Sequence, residues 1–335
     1  MKRHRPSTKK TNASLLKIAL TTGDRDGIGF EVTAKALSKI KPSLKKNRCL
    51  FFIFRHRDQQ KWQPQYFKLI DKSWLRLTFH SLEQALDFLD LVEGKLPDNL
   101  LVDLALTSHE AQWVLDASKA CRDGNLDSLV TGPLSKSVTA KLPRKPLGHT
   151  GIFRDLFKKN QMFMAFVGRD FNVLLATDHI PFSKVEASLN AKTFSSALKA
   201  AEDLRQLLNS KKNLAVLGLN PHSGEKGLLG KIETRLFKKL PKNVDGPLVP
   251  DAAFLKKNWS RYSVFVCLYH DQGLIPFKMH HGQDSGVHLT MGLPFVRTSV
   301  DHGTAVELFN KNLANSASMS EAIQLNMKLI GAKNV

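Results

Sequence analysis

Residues 15–40 read LLKIALTTGDRDGIGFEVTAKALSKI. The first six are apolar apart from Lys17, which suits a buried strand over Leu15–Leu20. The middle, TTGDRDGIG, is a turn rich in glycine and aspartate. Phe30–Ile40 then reads as a helix. Strand, glycine turn and helix, in that order, open a βαβ unit. Gly27 and Gly29 stand where that helix begins, and a helix N-terminus can hold an anion. The spacing is not a dinucleotide fingerprint, because Val32 occupies the place of the third glycine in G-x-G-x-x-G. The chain also lacks G-x-x-x-x-G-K-[ST], which excludes a P-loop.

The same alternation continues outward. Cys49–Phe54 reads as a strand, Ala111–Cys121 as a helix and Ser128–Val130 as a strand. Met162–Val167 and Asn172–Thr177 are strand candidates. Thr193–Asn209 is a helix, with Phe194, Leu198, Ala201, Leu204 and Leu208 in a three-to-four-residue rhythm. Asn213–Leu219 and Ser263–Leu268 are again strands. Alternation over the whole length predicts an α/β architecture with covered sheets. There is no internal repeat and no low-complexity linker.

Five polar segments directly follow these strands: TTGDRDGIGFE (21–31), TGPLSKS (131–137), TDHIPF (177–182), NPHSGEKG (220–227) and YHDQG (269–273). In open α/β sheets the ligand crevice lies at the carboxyl ends of strands. Ordinary turns favour Gly, Asp, Asn and Pro as well, so the weight rests on the three histidines in three of these loops. His179, His222 and His270 are spaced too widely to form a short motif. Three imidazoles and one open position make a catalytic divalent-metal site. Packed or surface histidines are the even alternative.

Composition bounds the rest. At 335 residues the chain has length for roughly two domains of about 150 residues. It is 42% hydrophobic and 24% charged, which argues against disorder and against a fibre. No apolar run approaches the roughly 18 residues that span a bilayer. The basic start, MKRHRPSTKK, leads into a short apolar part broken by Lys17, so no signal peptide is expected. Cys49, Cys121 and Cys267 form no C-x-x-C pair, and a reducing cytoplasm is the expected location. The net charge of +20, with a pI near 9.9, raises nucleic-acid binding as a rival reading. Outside the first ten residues the Lys and Arg are spread along the chain, and zinc-finger and RNP-type motifs are absent. A field that attracts small anions is the reading preferred here.

The stretches TTGDRDGIGFEVTAKAL, LVTGPLSKS, LGHT, LLATDHIPF, LGLNPHSGE, GPLVPDAAF, YHDQGLIPFK and LTMGLPFVRTSVDHGTAVEL carry a resemblance. In this order, from about residue 18 to about 325, the chain resembles the 4-hydroxythreonine-4-phosphate dehydrogenase family of vitamin B6 biosynthesis. Residues 41–110 match poorly. The resemblance implies two α/β/α domains with a cleft between them, similar to isocitrate and isopropylmalate dehydrogenases. The first domain would comprise 1–135 plus about 300–335, and the second about 136–300. It further implies a homodimer with an active site shared across the interface. The implied reaction oxidises a phosphorylated hydroxy-amino acid with NAD or NADP, and the resulting β-keto acid loses carbon dioxide to give 3-amino-2-oxopropyl phosphate. A divalent metal, zinc before magnesium or cobalt, would be held by His179, His222 and His270. As a Lewis acid it would polarise the reacting oxygen. His149, Thr150, Lys278 and Arg297 match substrate-contacting positions. Catalytic residues and cofactor contacts are not assigned. Asp251 and Asp271 are candidates for ligand contact or for orienting metal-bound histidines.

The chain departs from the family at several points. Arg25 closes the first loop where the family has proline, Gly151 follows G-H-T in place of an acidic residue, and Leu228 replaces a histidine. One extra residue lies between Lys278 and Arg297, so that a substrate-binding asparagine aligns with His288. A protonated His288 donating to phosphate is one expectation, and a His288 looped out to the surface is the other. The alternative substrates are 4-phospho-threonate and 4-phospho-erythronate.

Overall fold

The computed structural model describes residues 15–40, 49–92, 96–146, 148–159, 161–282 and 285–332. The basic N-terminal cluster, Leu147 of LGHT and residues 283–284 beside the extra residue lie outside the described residues. Twelve strands form one sheet. They are β1 (Leu16–Thr21), β2 (Cys49–His56), β3 (Leu75–Phe79), β4 (Leu100–Leu106), β5 (Ser128–Thr131), β6 (Phe163–Val167), β7 (Asn172–Leu175), β8 (Asn213–Leu217), β9 (Val244–Leu248), β10 (Tyr262–Cys267), β11 (Val287–Met291) and β12 (Val296–Ser299). Helices of eight residues or more are α1 (Gly29–Lys39), α2 (Pro64–Asp71), α3 (Leu82–Leu91), α4 (Glu110–Arg122), α5 (Gly148–Phe157), α6 (Ala191–Leu207), α7 (His270–His281) and α8 (Ala317–Ala332).

The strand order is β3-β4-β2-β1-β5-β12-β11-β6-β7-β10-β8-β9. From β3 to β12 every pairing is parallel. From β7 to β9 they are parallel again. The three pairings between, β12–β11, β11–β6 and β6–β7, are antiparallel. Three reversals leave the second parallel block pointing opposite to the first. The sheet runs unbroken through the boundaries expected near residues 135 and 300.

The central strands are buried on both faces, as parallel strands under helices must be. Every residue of β2 and of β10 is buried. That is why continuous apolar runs, not alternation, marked them in the sequence. On one side Ile18, Phe51 and Ile53 pack with α1 and α2; on the other Phe52, Phe54 and Leu104 pack with Trp113 and Val114 of α4. A third cluster joins Phe171, Phe265 and Phe277. The start of α1 is tied to a distant segment: Glu31 Oε1 accepts from Lys35 Nζ at 2.7 Å and from the Ala314 N–H at 2.9 Å. One expected loop, YHDQG (269–273), begins as helix. His149 and Thr150 sit in the first turn of α5, and His270 opens α7. No helix among the described residues is long and apolar enough to cross a membrane.

Candidate active site

Arg297, from the middle of β12, is 2% exposed. It donates from Nη1 to Thr290 Oγ1 at 3.0 Å and to His288 Nδ1 at 3.2 Å, and from Nη2 to Thr131 Oγ1. Its Nε is buried with no acceptor. No carboxylate pairs with it among the described residues, and burial pushes its pKa down to about 9. A buried cation without a counter-ion is costly, and this one stands 5.4 Å from the centroid of the Phe153 ring on α5.

Two histidines flank the guanidinium. Burial and the Arg297 charge hold both His149 and His288 well below the ordinary imidazole pKa, with His149 and His179 adding to the effect on His288. Both rings are therefore neutral. His288 Nδ1 accepts from Arg297, so its proton belongs on Nε2. That Nε2, like Nε2 of His149, is buried without a partner. An unsatisfied buried polar group costs about 1–3 kcal/mol. These two nitrogens, with the unsatisfied Nε of Arg297 itself, suit an anion that accepts from several directions. His288 is not looped out to the surface. It sits within β11, its ring stacked on Phe166 at 5.1 Å, and its surroundings oppose the charged form.

Thr150 follows His149 on α5 and is half-buried. Lys278, on α7, stands apart from the Arg297 cluster in its bonding. Its Nζ pairs with Asp301 Oδ2 at 3.1 Å. Space is short at Gly151: a Cβ there would lie 3.0 Å from Pro146 Cβ. Arg25 is held by Glu110, Nε to Oε1 at 2.5 Å, and reaches His56 Nε2 at 3.2 Å. Leu228 is exposed.

The three loop histidines are partly brought together. The rings of His179 and His270 approach with centroids 4.9 Å apart. Burial and His270 lower the His179 pKa, which keeps its lone pair available. His270 Nδ1 donates to Asp271 Oδ1 at 2.6 Å, leaving Nε2 as its ligating nitrogen. This is the carboxylate–imidazole arrangement that orients metal-bound histidines. Asp251 is exposed at the start of the short helix Pro250–Ala253 and lies outside these contacts. Asp178, beside His179, is paired with Arg154 of α5 at 2.7 Å.

His222 does not join the other two within one chain. Among the described residues, the three-residue set with ligating atoms within 4.8 Å of one another is Asp170, His280 and His281. That set is satisfied internally. Asp170 Oδ2 accepts from His280 Nε2 and from Arg169, and His281 bonds the Asp170 N–H and the Phe277 carbonyl. His222 instead sits in a left-handed turn, residues 222–226, with φ values of 50, 53, 79, 44 and 56°. Four of the five are not glycine, and a left-handed L-residue costs roughly 1–2 kcal/mol. Beneath the turn Glu233 is 4% exposed. Its Oε1 accepts the N–H groups of Leu219 and Asn220 at 2.9 and 2.8 Å, and Oε2 accepts Asn220 Nδ2 at 3.1 Å.

Thr131, Thr290, Asp301 and Glu233 were not singled out from sequence. Thr131 had a usable signal, standing at the end of a strand and directly before Gly132-Pro133. The others are ordinary polar residues in their local context.

The mixed sheet is that of the isocitrate dehydrogenase class. The isocitrate dehydrogenase of Methylococcus capsulatus shares the fold with a TM-score of 0.50 at 16% identity, over 95% of this chain and 86% of that one. A putative 4-hydroxythreonine-4-phosphate dehydrogenase of Salmonella typhimurium matches more closely, with a TM-score of 0.73 and 28% identity over 94% and 99% of the two chains. The 4-hydroxythreonine-4-phosphate dehydrogenase of Synechococcus sp. is 33% identical over 94% of this chain and 100% of its own length. The family model for the pyridoxal phosphate biosynthetic protein PdxA matches residues 80–326. The chain belongs to the PdxA family. It is an oxidoreductase, as members of that family are dehydrogenases.

Proposed function

We propose that the enzyme oxidises 4-phosphohydroxy-L-threonine with NAD or NADP, to a 3-oxo acid that decarboxylates to 3-amino-2-oxopropyl phosphate in the making of pyridoxal phosphate. The names of its relatives support the substrate. The observation that carries the reading is Arg297, a buried guanidinium with no carboxylate partner between two neutral imidazoles. Arg297, His149 and His288 would receive the phosphate, with Thr150 beside them on α5. Arg297 is fixed by Thr131 and Thr290, so its fork is pre-aimed and little side-chain entropy is lost on binding. Lys278 exchanges its bond with Asp301 for the substrate's second anionic group.

His179, His222 and His270 would hold a divalent ion, zinc before magnesium or cobalt. The donor set fits: two adjacent imidazoles, one with a lowered pKa and one backed by Asp271. When bound, such an ion acts as a Lewis acid on the reacting oxygen. A homodimer with a shared site is proposed because His222 stands apart within one chain. The face of α7 between His270 and Lys278 also exposes Ile275 and Met279 around a hollow of about 490 Å³. The division into 1–135 plus about 300–335, and about 136–300, is supported by the reversal of strand direction between the two parallel blocks. A cytoplasmic location is supported by three buried thiols, Cys49, Cys121 and Cys267.

Turnover of 4-phosphohydroxy-L-threonine, measured with each nicotinamide cofactor and each metal, tests the proposal. Activity restricted to 4-phospho-threonate or 4-phospho-erythronate would transfer the assignment to those acids. Tight RNA or DNA binding that weakens steeply with salt, without turnover, would overturn it.

A further inference from the structure

We propose that Glu233 is a positioning residue, whose buried carboxylate holds the left-handed turn 222–226 in the one conformation that presents His222 to the metal. The inference rests on the assignment of His222 as a ligand. Four non-glycine residues in succession around Gly224 occupy a backbone region that L-residues avoid, so the turn does not hold its shape by local preference. Such strain persists only where surrounding structure over-determines it. Glu233 supplies that restraint. One oxygen takes the N–H groups of Leu219 and Asn220, the two residues leading into the turn. The other takes the Asn220 side chain. A carboxylate accepting several N–H donors is a strong, charge-assisted anchor.

The packing closes from both sides. A Cβ on Gly224 would fall 2.6 Å from Glu233 Oε2, and one on Gly230 would fall 2.2 Å from Asn220 Nδ2. The turn therefore lies directly against the carboxylate. Glu233 reaches His222 through the backbone, without touching the imidazole. Its effect should appear in how the ligand is held more than in global stability.

The test uses the full chain with cobalt(II) as the probe metal. Glu233→Ala, the milder Glu233→Gln and His222→Ala are compared for cobalt affinity by calorimetry and for the visible d–d absorption of bound cobalt. Amide exchange at Leu219 and Asn220 is followed in parallel. Expected are faster exchange at both amides in Glu233→Ala, a 10- to 100-fold loss of cobalt affinity, an altered cobalt spectrum, and kcat reduced more than KM. Glu233→Gln, which keeps one acceptor oxygen, should fall between, and it carries the same readouts if the alanine variant does not fold. Adding Glu233→Gln to His222→Ala should cause no further loss of affinity. Unchanged affinity and spectrum in both Glu233 variants, with a clear loss in His222→Ala, would overturn the proposal and leave the ligand assignment standing. Unchanged affinity in His222→Ala would overturn the ligand assignment itself, and the proposal with it.

Discussion

Arg297 concentrates the chemistry of the pocket in one side chain. Lysine at that position would keep the charge but lose the planar fork and the geometry set by Thr131 and Thr290. Arg297→Lys should therefore lower kcat/KM at least tenfold, about 1.4 kcal/mol; unchanged steady-state kinetics would remove the residue from the site. The flanking histidines give a pH signature whose sign is fixed by burial. Both His149 and His288 have folded pKa values well below the ordinary 6.5 or so. Below that pH the unfolded chain binds protons that the folded chain refuses, so stability is full above it and falls as the pH drops. Urea midpoints measured on either side of about pH 6.5 should show this loss, and His288→Asn should lessen it. If the variant keeps the whole pH dependence, His288 is not a source of it. His149 was legible in LGHT, and His288 as the residue standing where the resemblance expects asparagine. Their neutral state was not, because it comes first from burial and then from the Arg297 charge, and both exist only in the fold.

At the scale of elements, the clearest strands in the sequence were those that chiefly pack, although β4, an apolar run buried at six of its seven residues, was not read. β2 and β10 are buried along their whole length and show as continuous apolar runs. β11 and β12 were missed because His288, Thr290, Arg297, Thr298 and Ser299 break the apolar signal that reveals a strand. β3 is an edge strand with two of its five residues exposed. α7 contains Pro276 in its interior and five charged or histidine side chains, which hid its period. Functional residues thus obscure the very elements that carry them. Where no function intrudes, local rules hold. Asn190 caps α6 by accepting the Thr193 N–H at 2.9 Å. Asn190→Ala should cost about 0.5–2 kcal/mol, read as a lower denaturant midpoint with an unchanged slope.

Across the whole molecule, the α/β class and the sequence of strand and helix were legible, since each follows from runs of a few residues. The pairing order was not, because β12 is recruited from far along the chain to lie beside β5. The proposed homodimer is tested at α7, where Ile275 and Met279 are 57% and 83% exposed beside His270 and Lys278. If the proposal holds, Ile275→Glu should shift that dimer towards monomer in light scattering and remove most turnover. A fully active monomer would refute the shared site.

The insertion of β12 also sets a schedule for synthesis. Ser128–Thr131 pairs with β1 on one side and needs Val296–Ser299 on the other. On the ribosome, about half of the chain separates the emergence of those two segments. Throughout that interval the nascent first block presents an open strand edge in the middle of its future sheet, the kind of surface that invites aggregation. The first half of this protein therefore cannot close its own core as it is made. It waits, template ready, for the last of the twelve described strands to be translated.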